Sequence, residues 1–270
     1  MDRSLLVALV VGILQGVFEW LPISSEGNVT LYLVVVEGVD PTAAVQLSLF
    51  LHAGTALAAS LYYREELREL AAVLVRVRSS GVDPDARTLS FLAVATAASV
   101  VVGLVVYRAL TSLVTELAGG AFVALVGVLL VGTGVVQRVA DAGGVRRSDP
   151  TVGDALLVGA LQGLAVLPGV SRSGVTVGAL LLRGHEGTAS FRLSFLLSIP
   201  AAFGAGVLVL LDVGLPSVSV AAAGVALLGS AVTGYVTIGA LLAVVRRVAF
   251  WGVAVGLGVL SILGGAVTLV

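Results

Sequence analysis

Apolar residues run along this chain in long blocks separated by short polar stretches. Six blocks are long enough to cross a bilayer as helices: about 42–63, 88–108, 119–138, 190–212, 217–245 and 248–268. A spanning helix needs about 20 predominantly apolar residues. Two further blocks, about 4–37 and 152–184, are apolar but interrupted near their middles. The first is broken by Gln15, Glu19, Pro22, Ser24, Ser25, Glu26 and Asn28, the second by Gln162, Pro168, Ser171, Arg172 and Ser173. Each reads as two half-length helices around a polar loop. A helix of about ten residues rises about 15 Å, half the hydrocarbon core. Each interrupted block is therefore predicted to enter the membrane, turn near its middle and leave on the same side. Irregular backbone at that depth is tolerated only where it is buried in protein or lines a watery cavity. The two loops are thus the leading candidates for a functional site.

The interrupted blocks resemble each other. Val11-Gly12-Ile13-Leu14-Gln15-Gly16 precedes Leu21-Pro22-Ile23-Ser24-Ser25, and Val158-Gly159-Ala160-Leu161-Gln162-Gly163 precedes Leu167-Pro168-Gly169-Val170-Ser171. Each copy is followed by three long apolar blocks. The expected architecture is an all-α polytopic membrane protein, one integral membrane domain over 1–270. It comprises two repeats, about 1–145 and 146–270, each a re-entrant broken hairpin plus three transmembrane helices. Arginines cluster in the loops at about 64–87 (Arg64, Arg68, Arg76, Arg78, Arg87) and 138–150 (Arg138, Arg146, Arg147). Arg183, Arg192, Arg246 and Arg247 flank two more connections, whereas the loops near 38–41 and 212–217 carry Asp40 and Asp212 but no Arg. The positive-inside rule places the arginine-rich loops in the cytoplasm. Three spans, an odd number, separate the copies, so their topology is inverted, as in many transporters. Acids in the same loops (Glu65, Glu66, Glu69, Asp83, Asp85) weigh little in that rule.

Composition narrows the class. Of 270 residues, 58% are hydrophobic and 11% charged, and the mean hydropathy is +1.12. A soluble domain carries about 25% charged residues, so this chain lacks the polar side chains to cover a soluble surface. A soluble enzyme, a disordered chain and a nucleic-acid binder are excluded. The bilayer is the expected partner, and a multi-pass position in the cell membrane the expected location. There is no cysteine, and all 15 basic residues are Arg. Thiolate catalysis, disulfides and Schiff-base chemistry are therefore absent. The Leu5–Leu14 stretch lacks a small-residue cleavage site after it and reads as retained.

The loops hold the candidate chemistry. Gln15 and Glu19 are four residues apart and share a helix face. A carboxylate at membrane depth usually faces a cavity or a partner; the plainer alternative is an interfacial Glu beside Trp20. Glu26 lies between Ser25 and Gly27, and the alternative role for it is to cap the following half-helix. In Pro168-Gly169-Val170-Ser171-Arg172-Ser173-Gly174, Arg172 stands between two hydroxyls, with a helix expected from about Val175. A helix start and a guanidinium fork together suit phosphate oxygens. The alternative is a structural Arg paired with Glu19 or Glu26. His52, inside a span, is either a functional group or a hydrogen-bonded packing residue. His185, in a short polar loop, reads as solvated.

These motifs resemble the undecaprenyl-diphosphate phosphatase family of the BacA type. Its first signature, E-G-x-x-E-F-L-P-(I/V)-S-S-T-G-H, is matched by Gln15-Gly16-Val17-Phe18-Glu19-Trp20-Leu21-Pro22-Ile23-Ser24-Ser25-Glu26-Gly27-Asn28. Its second, P-G-x-S-R-S-G, is matched in full at 168–174, and similarity continues through Ser194–Pro200. The resemblance implies removal of the terminal phosphate of a long-chain polyprenyl diphosphate, which recycles a lipid carrier for cell-envelope glycans. It implies Glu19, Ser25 and Arg172 as catalytic residues, and Glu26, where the family has a Thr, is expected to join them as the second carboxylate. Gln15, Ser24, Asn28, His52, Ser171, Ser173 and Gly174 are implied as substrate-binding. Glu19 and Glu26 would hold a divalent cation, Mg²⁺ or Ca²⁺, and no organic cofactor is expected. A homodimer and a cavity open to the extracytoplasmic side are further expectations. Three departures stand out: Gln15 replaces a Glu, Glu26 a Thr and Asn28 a His. Glu26 restores the number of carboxylates that Gln15 removes. The competing expectation is a polyprenyl-phosphate transporter or flippase using the same cavity.

Overall fold

A computed structural model describes residues 2–76, 84–117, 119–140, 147, 149–215, 218–245 and 247–267. Arg78, Asp83, Arg146 and Arg246, and the boundary between the expected repeats, lie outside the described residues.

The described residues are helical throughout, apart from short connections. The first interrupted block forms α1 (Arg3–Phe18) and α2 (Ser25–Leu31), which runs on through a π-helical turn (Tyr32–Val36). Next come α3 (Pro41–Tyr62), α4 (Arg64–Arg76), α5 (Pro84–Glu116) and α6 (Gly119–Ala140). The second interrupted block forms α7 (Val152–Leu164) and α8 (Arg172–Leu182), followed by α9 (Gly187–Asp212), α10 (Val220–Val245) and α11 (Trp251–Val267). Five of these, within α3, α5, α6, α9 and α10, are long and apolar enough to cross a membrane. The chain is an all-helical, multi-pass membrane protein.

The boundaries follow local chemistry. Asp40 caps α3, accepting from the Thr42 and Ala43 amides, with Pro41 preset for the first turn. Thr151 and Asp154 form a reciprocal capping box on α7. Ser24 and Ser171 cap α2 and α8. The second half-helix thus starts at Arg172, three residues before the expected Val175.

Two expectations need correction. The arginine-rich stretch after Tyr63 is not a loop at its start: it forms α4, which buries Leu70 and Val73 and leaves Arg64, Glu65, Arg68 and Glu69 outward. Apolar positions three apart on a charged background give it one sticky stripe. Glu66 pairs with Arg192 of α9. His185 is not solvated. It is 3% exposed, and its Nε2 lies 3.2 Å from the Asp154 carboxylate. Arg183 also donates to Asp154, so the start of α7 and the end of α8 are tied together.

Packing buries the two breaks and the second half-helices α2 and α8, while α1 and α7 keep one face outward, with Leu6, Ile13, Leu156 and Leu157 exposed. α1 lies against α10 and α7 against α5, while α3 packs on α9 and α6 on α11. In both hairpins the first glycine of the G-x-x-x-G pair makes a close approach. A Cβ on Gly12 would lie 2.4 Å from the Ala226 carbonyl oxygen, and one on Gly159 2.3 Å from that of Ala95. Only the missing side chain lets these backbones meet.

Candidate functional site

The two breaks meet at the protein's centre, and α6 holds them there. Gln137 Nε2 donates to the Pro22 carbonyl at 2.6 Å. Thr133 Oγ1 donates to the Gly169 carbonyl at 3.0 Å and accepts from the Ser171 amide at 3.1 Å. Ser24 joins the loops directly, since its hydroxyl accepts from the amides of Gly27 and Gly169, each at 3.1 Å. Ser24 occupies the left-handed region, with φ 61°, the one non-glycine residue to do so among those described. Such strain persists where the surroundings over-determine it, commonly at functional sites.

Glu19 is the hub. Its Oε2 accepts from Ser25 Oγ at 2.8 Å and from Gln15 Nε2 at 3.0 Å. Its Oε1 accepts from Arg172 NH2 at 2.5 Å. His52 Nε2 lies 3.4 Å from Oε2. His52 Nδ1 is 2.9 Å from the Ser48 carbonyl. A carbonyl only accepts, so Nδ1 donates in this bond and Nε2 is the nitrogen turned to Glu19. Arg172 also stands over the Phe195 ring, 5.5 Å from its centroid, which steadies a cation in a buried place. Trp20 donates to the Gly234 carbonyl at 3.0 Å and packs on Phe195, fixing the residue next to Glu19.

Several polar atoms here are buried without a partner: both carboxylate oxygens of Glu26, Gln15 Oε1 and Arg172 NH1. Native interiors rarely leave such atoms unpaired, and each is costly unless something binds there. A free guanidinium nitrogen can receive an anion. The two free Glu26 oxygens, which border both cavities, can receive a cation.

The site opens in two stages. A polar recess of about 20 Å³ is bordered by Glu19, Ser24, Ser25, Glu26, His52, Ser171, Arg172 and Ser173. It shares Glu19, Glu26, His52, Ala165 and Arg172 with a cavity of about 280 Å³. That cavity continues between α5, α7 and α9 past Gly103, Leu104, Ala205 and Leu208 to Leu211.

A family model described as "Bacitracin resistance protein BacA" matches residues 8–263. The chain belongs to the BacA family. A protein of Haloarcula marismortui named undecaprenyl-diphosphatase is 55% identical over 264 residues, covering 97% of this chain and 98% of the relative. A protein of Methanococcoides burtonii with the same name is 40% identical, covering 96% and 98% respectively. One of Pelobacter propionicus, again so named, is 35% identical over 90% of each chain.

Within this BacA-family site, Gln15, Glu19, Ser25, His52 and Arg172 form one hydrogen-bonded and electrostatic network. Glu26 and Ser173 border the same recess. Ser24 and Ser171 also border it, though their hydroxyls are occupied as helix caps. Asn28 and Gly174 support backbone and border neither cavity. The Asn28 amide donates to the Ile23 and Ser24 carbonyls, at 2.7 and 2.9 Å. The Gly174 amide donates to Ser171 Oγ. Sequence reasoning missed Thr133 and Gln137, which hold the loops, and Phe195, beneath Arg172. Polar residues four apart inside the apolar α6 block were the available signal for the first two. Among the described residues, no group of three or more His, Asp or Glu converges as a metal cluster.

Proposed function

We propose that this chain hydrolyses a long-chain polyprenyl diphosphate of the undecaprenyl type to the lipid monophosphate and phosphate. The observation that carries the reading is a serine hydroxyl bonded to a buried carboxylate, beside an arginine with one nitrogen free. The names of the relatives and both signature motifs agree with it. They give no support to a transporter, and carriage alone needs no hydroxyl poised on a carboxylate.

In this mechanism the terminal phosphate lies against Arg172, whose NH1 takes a phosphate oxygen. Ser25 Oγ attacks the terminal phosphorus and passes its proton to Glu19. The bond from that phosphorus to the bridging oxygen breaks, and the lipid monophosphate leaves. Glu19 hands that proton to the leaving lipid phosphate. A water then attacks the phosphoserine phosphorus, giving its proton to the freed carboxylate, which returns it to Ser25 Oγ as phosphate is released. Gln15 and His52 hold Glu19 in place. Ser173 donates to the phosphate. Charge on the phosphate oxygens is met by preorganised donors, which is where phosphoryl transfer gains most.

A divalent cation such as Mg²⁺ or Ca²⁺ fits the donor set: Glu26, whose two carboxylate oxygens have no partner and which borders both cavities, would hold it together with Glu19. These are hard oxygen ligands, and such ions commonly complete their shells with water and substrate phosphate. When bound, it would neutralise charge on the phosphate. This gives Glu26 the part that Gln15 cannot fill.

The prenyl tail lies in the apolar cavity between α5 and α9. Both helices start at arginine-bearing ends, Arg87 and Arg192, and the cavity follows their later halves towards Asp212. The positive-inside rule then turns the cavity towards the extracytoplasmic side of the cell membrane. The two halves form an inverted repeat. The exchange of partners, α1 on α10 and α7 on α5, supports it, because a two-fold axis would produce that exchange. The deciding experiment is phosphate release by the purified chain from polyprenyl diphosphates of several lengths, with and without chelator. Release from a long-chain substrate is expected. Its absence under all conditions overturns the reading.

A further inference from the structure

The mechanism leaves one buried polar cluster unused. Gln162 is the counterpart of Gln15 in the repeated Val-Gly-x-Leu-Gln-Gly motif and is 4% exposed. Its Nε2 donates to Ser99 Oγ at 3.3 Å and to the Leu197 carbonyl at 3.4 Å. Its Oε1 is buried and has no partner. Ser198, the next residue on α9, donates to the Phe195 carbonyl at 2.6 Å, so its hydrogen is already placed. Gln162, Ser99 and Ser198 border the large cavity together with Glu19, Glu26, His52 and Arg172. Apart from those four, they are the polar side chains of its wall.

We infer that Gln162, oriented by Ser99, forms a second phosphate subsite, for the phosphate that stays on the lipid. The inference rests on the diphosphatase reading and deepens it. A diphosphate joins its two phosphorus atoms through one oxygen. With the terminal phosphate on Arg172, the inner phosphate lies on the tail side, where the polar recess gives way to the apolar cavity. Phosphate oxygens need donors there. The amide of Gln162 can supply one by a half-turn about its terminal bond. Nε2 then faces the cavity, and Oε1 accepts from the Ser99 hydroxyl. Both present bonds are near the upper limit of hydrogen-bond length, so the turn gives up little. Neutral donors suit this position: they hold a lipid phosphate without the charge that would slow release of the product.

The test is direct binding of a polyprenyl monophosphate to the full chain in lipid nanodiscs, read beside steady-state hydrolysis. Gln162→Leu is expected to weaken monophosphate binding about tenfold, the weight of one hydrogen bond to a charged group. KM should rise by a similar factor and kcat should change far less. Inhibition by inorganic phosphate, which reports on Arg172, should stay as in the parent chain. Unchanged monophosphate binding overturns the subsite, as does an equal loss for both ligands. Ser99→Ala, which leaves the Gln162 bond to Leu197 in place, decides the matter in the same direction if Gln162→Leu does not fold. A parent chain that binds monophosphate through Gln162 but releases no phosphate would overturn the diphosphatase reading and leave the subsite standing.

Discussion

The hairpin α1–α2 and the hairpin α7–α8 begin their second half-helices alike. A serine caps each one, Ser24 or Ser171, and accepts from the amide of a glycine three residues on, Gly27 or Gly174. This aligns Ser25 with Arg172 and Glu26 with Ser173. The frame is shared, but the chemistry is divided. One hairpin brings the hydroxyl and the carboxylates, and the other brings the guanidinium and more hydroxyls. Neither is a phosphate site alone. Glu19 without Arg172 would be a bare anion in the membrane, and Arg172 without Glu19 a bare cation. Each is costly unpaired, so the site's electrostatics exist only once the halves have docked. The division also explains α6. Its Thr133 and Gln137 hold one loop each, and so fix the distance between complementary charges.

The sharpest way to break this comparison is to remove the cation. Arg172→Ala is expected to lower phosphate release at least about 10³-fold, or about 4 kcal/mol of transition-state stabilisation. Protein should still be recovered from membranes. Turnover near that of the parent chain would mean that the second hairpin does not supply the anion site.

The next largest effect tests the aligned pair Glu26 and Ser173. Glu26→Gln keeps the shape and removes the charge. A loss of about 10²-fold is expected, with a weaker response to added divalent cation. Normal turnover would show that Glu26 does not take over from Gln15.

Much of this was legible in the sequence, for a physical reason. Breaks and repeated motifs act locally, so both interruptions and the motif that holds Gly12 and Gly159 are visible through spacing, whereas the caps at Ser24 and Ser171 are not, and α8 begins three residues before the expected Val175. Charges in an apolar chain are equally conspicuous, which is why Glu19, Glu26 and Arg172 stood out. Residues acting across the bundle were harder to find. Phe195 and Thr133 resemble ordinary members of an apolar span, and nothing along the chain says which helix each one faces. Gln162 was visible as a repeat of Gln15, but not the partnerless state of its oxygen. The charges of α4 point to a loop, although Leu67, Leu70 and Val73 mark a helical stripe. His185 reads as solvated along the chain because its partner Asp154 lies 31 residues earlier, on the other side of the α7–α8 turn.

The smallest effects concern the open ends of the hairpins, where the halves differ most in burial. Asp154, fully buried, joins α7 to α8 through Arg183, His185 and the Thr151 cap. Arg3 and Glu37 make the corresponding link in the first hairpin at 3.4 Å, with the signs reversed and the Arg3 side chain 84% exposed. Water screens an exposed pair and leaves it worth at most about 0.5 kcal/mol. Removing Asp154 leaves a buried imidazole nitrogen unpaired and takes from the Thr151 amide its acceptor, half of the capping box, for a cost of about 2–3 kcal/mol. Thermal unfolding in detergent should therefore shift clearly for Asp154→Ala and hardly at all for Arg3→Ala. Equal shifts would mean that burial does not set the strength of the two links. The hairpin carrying Arg172 would then be held no more firmly than the one carrying Glu19.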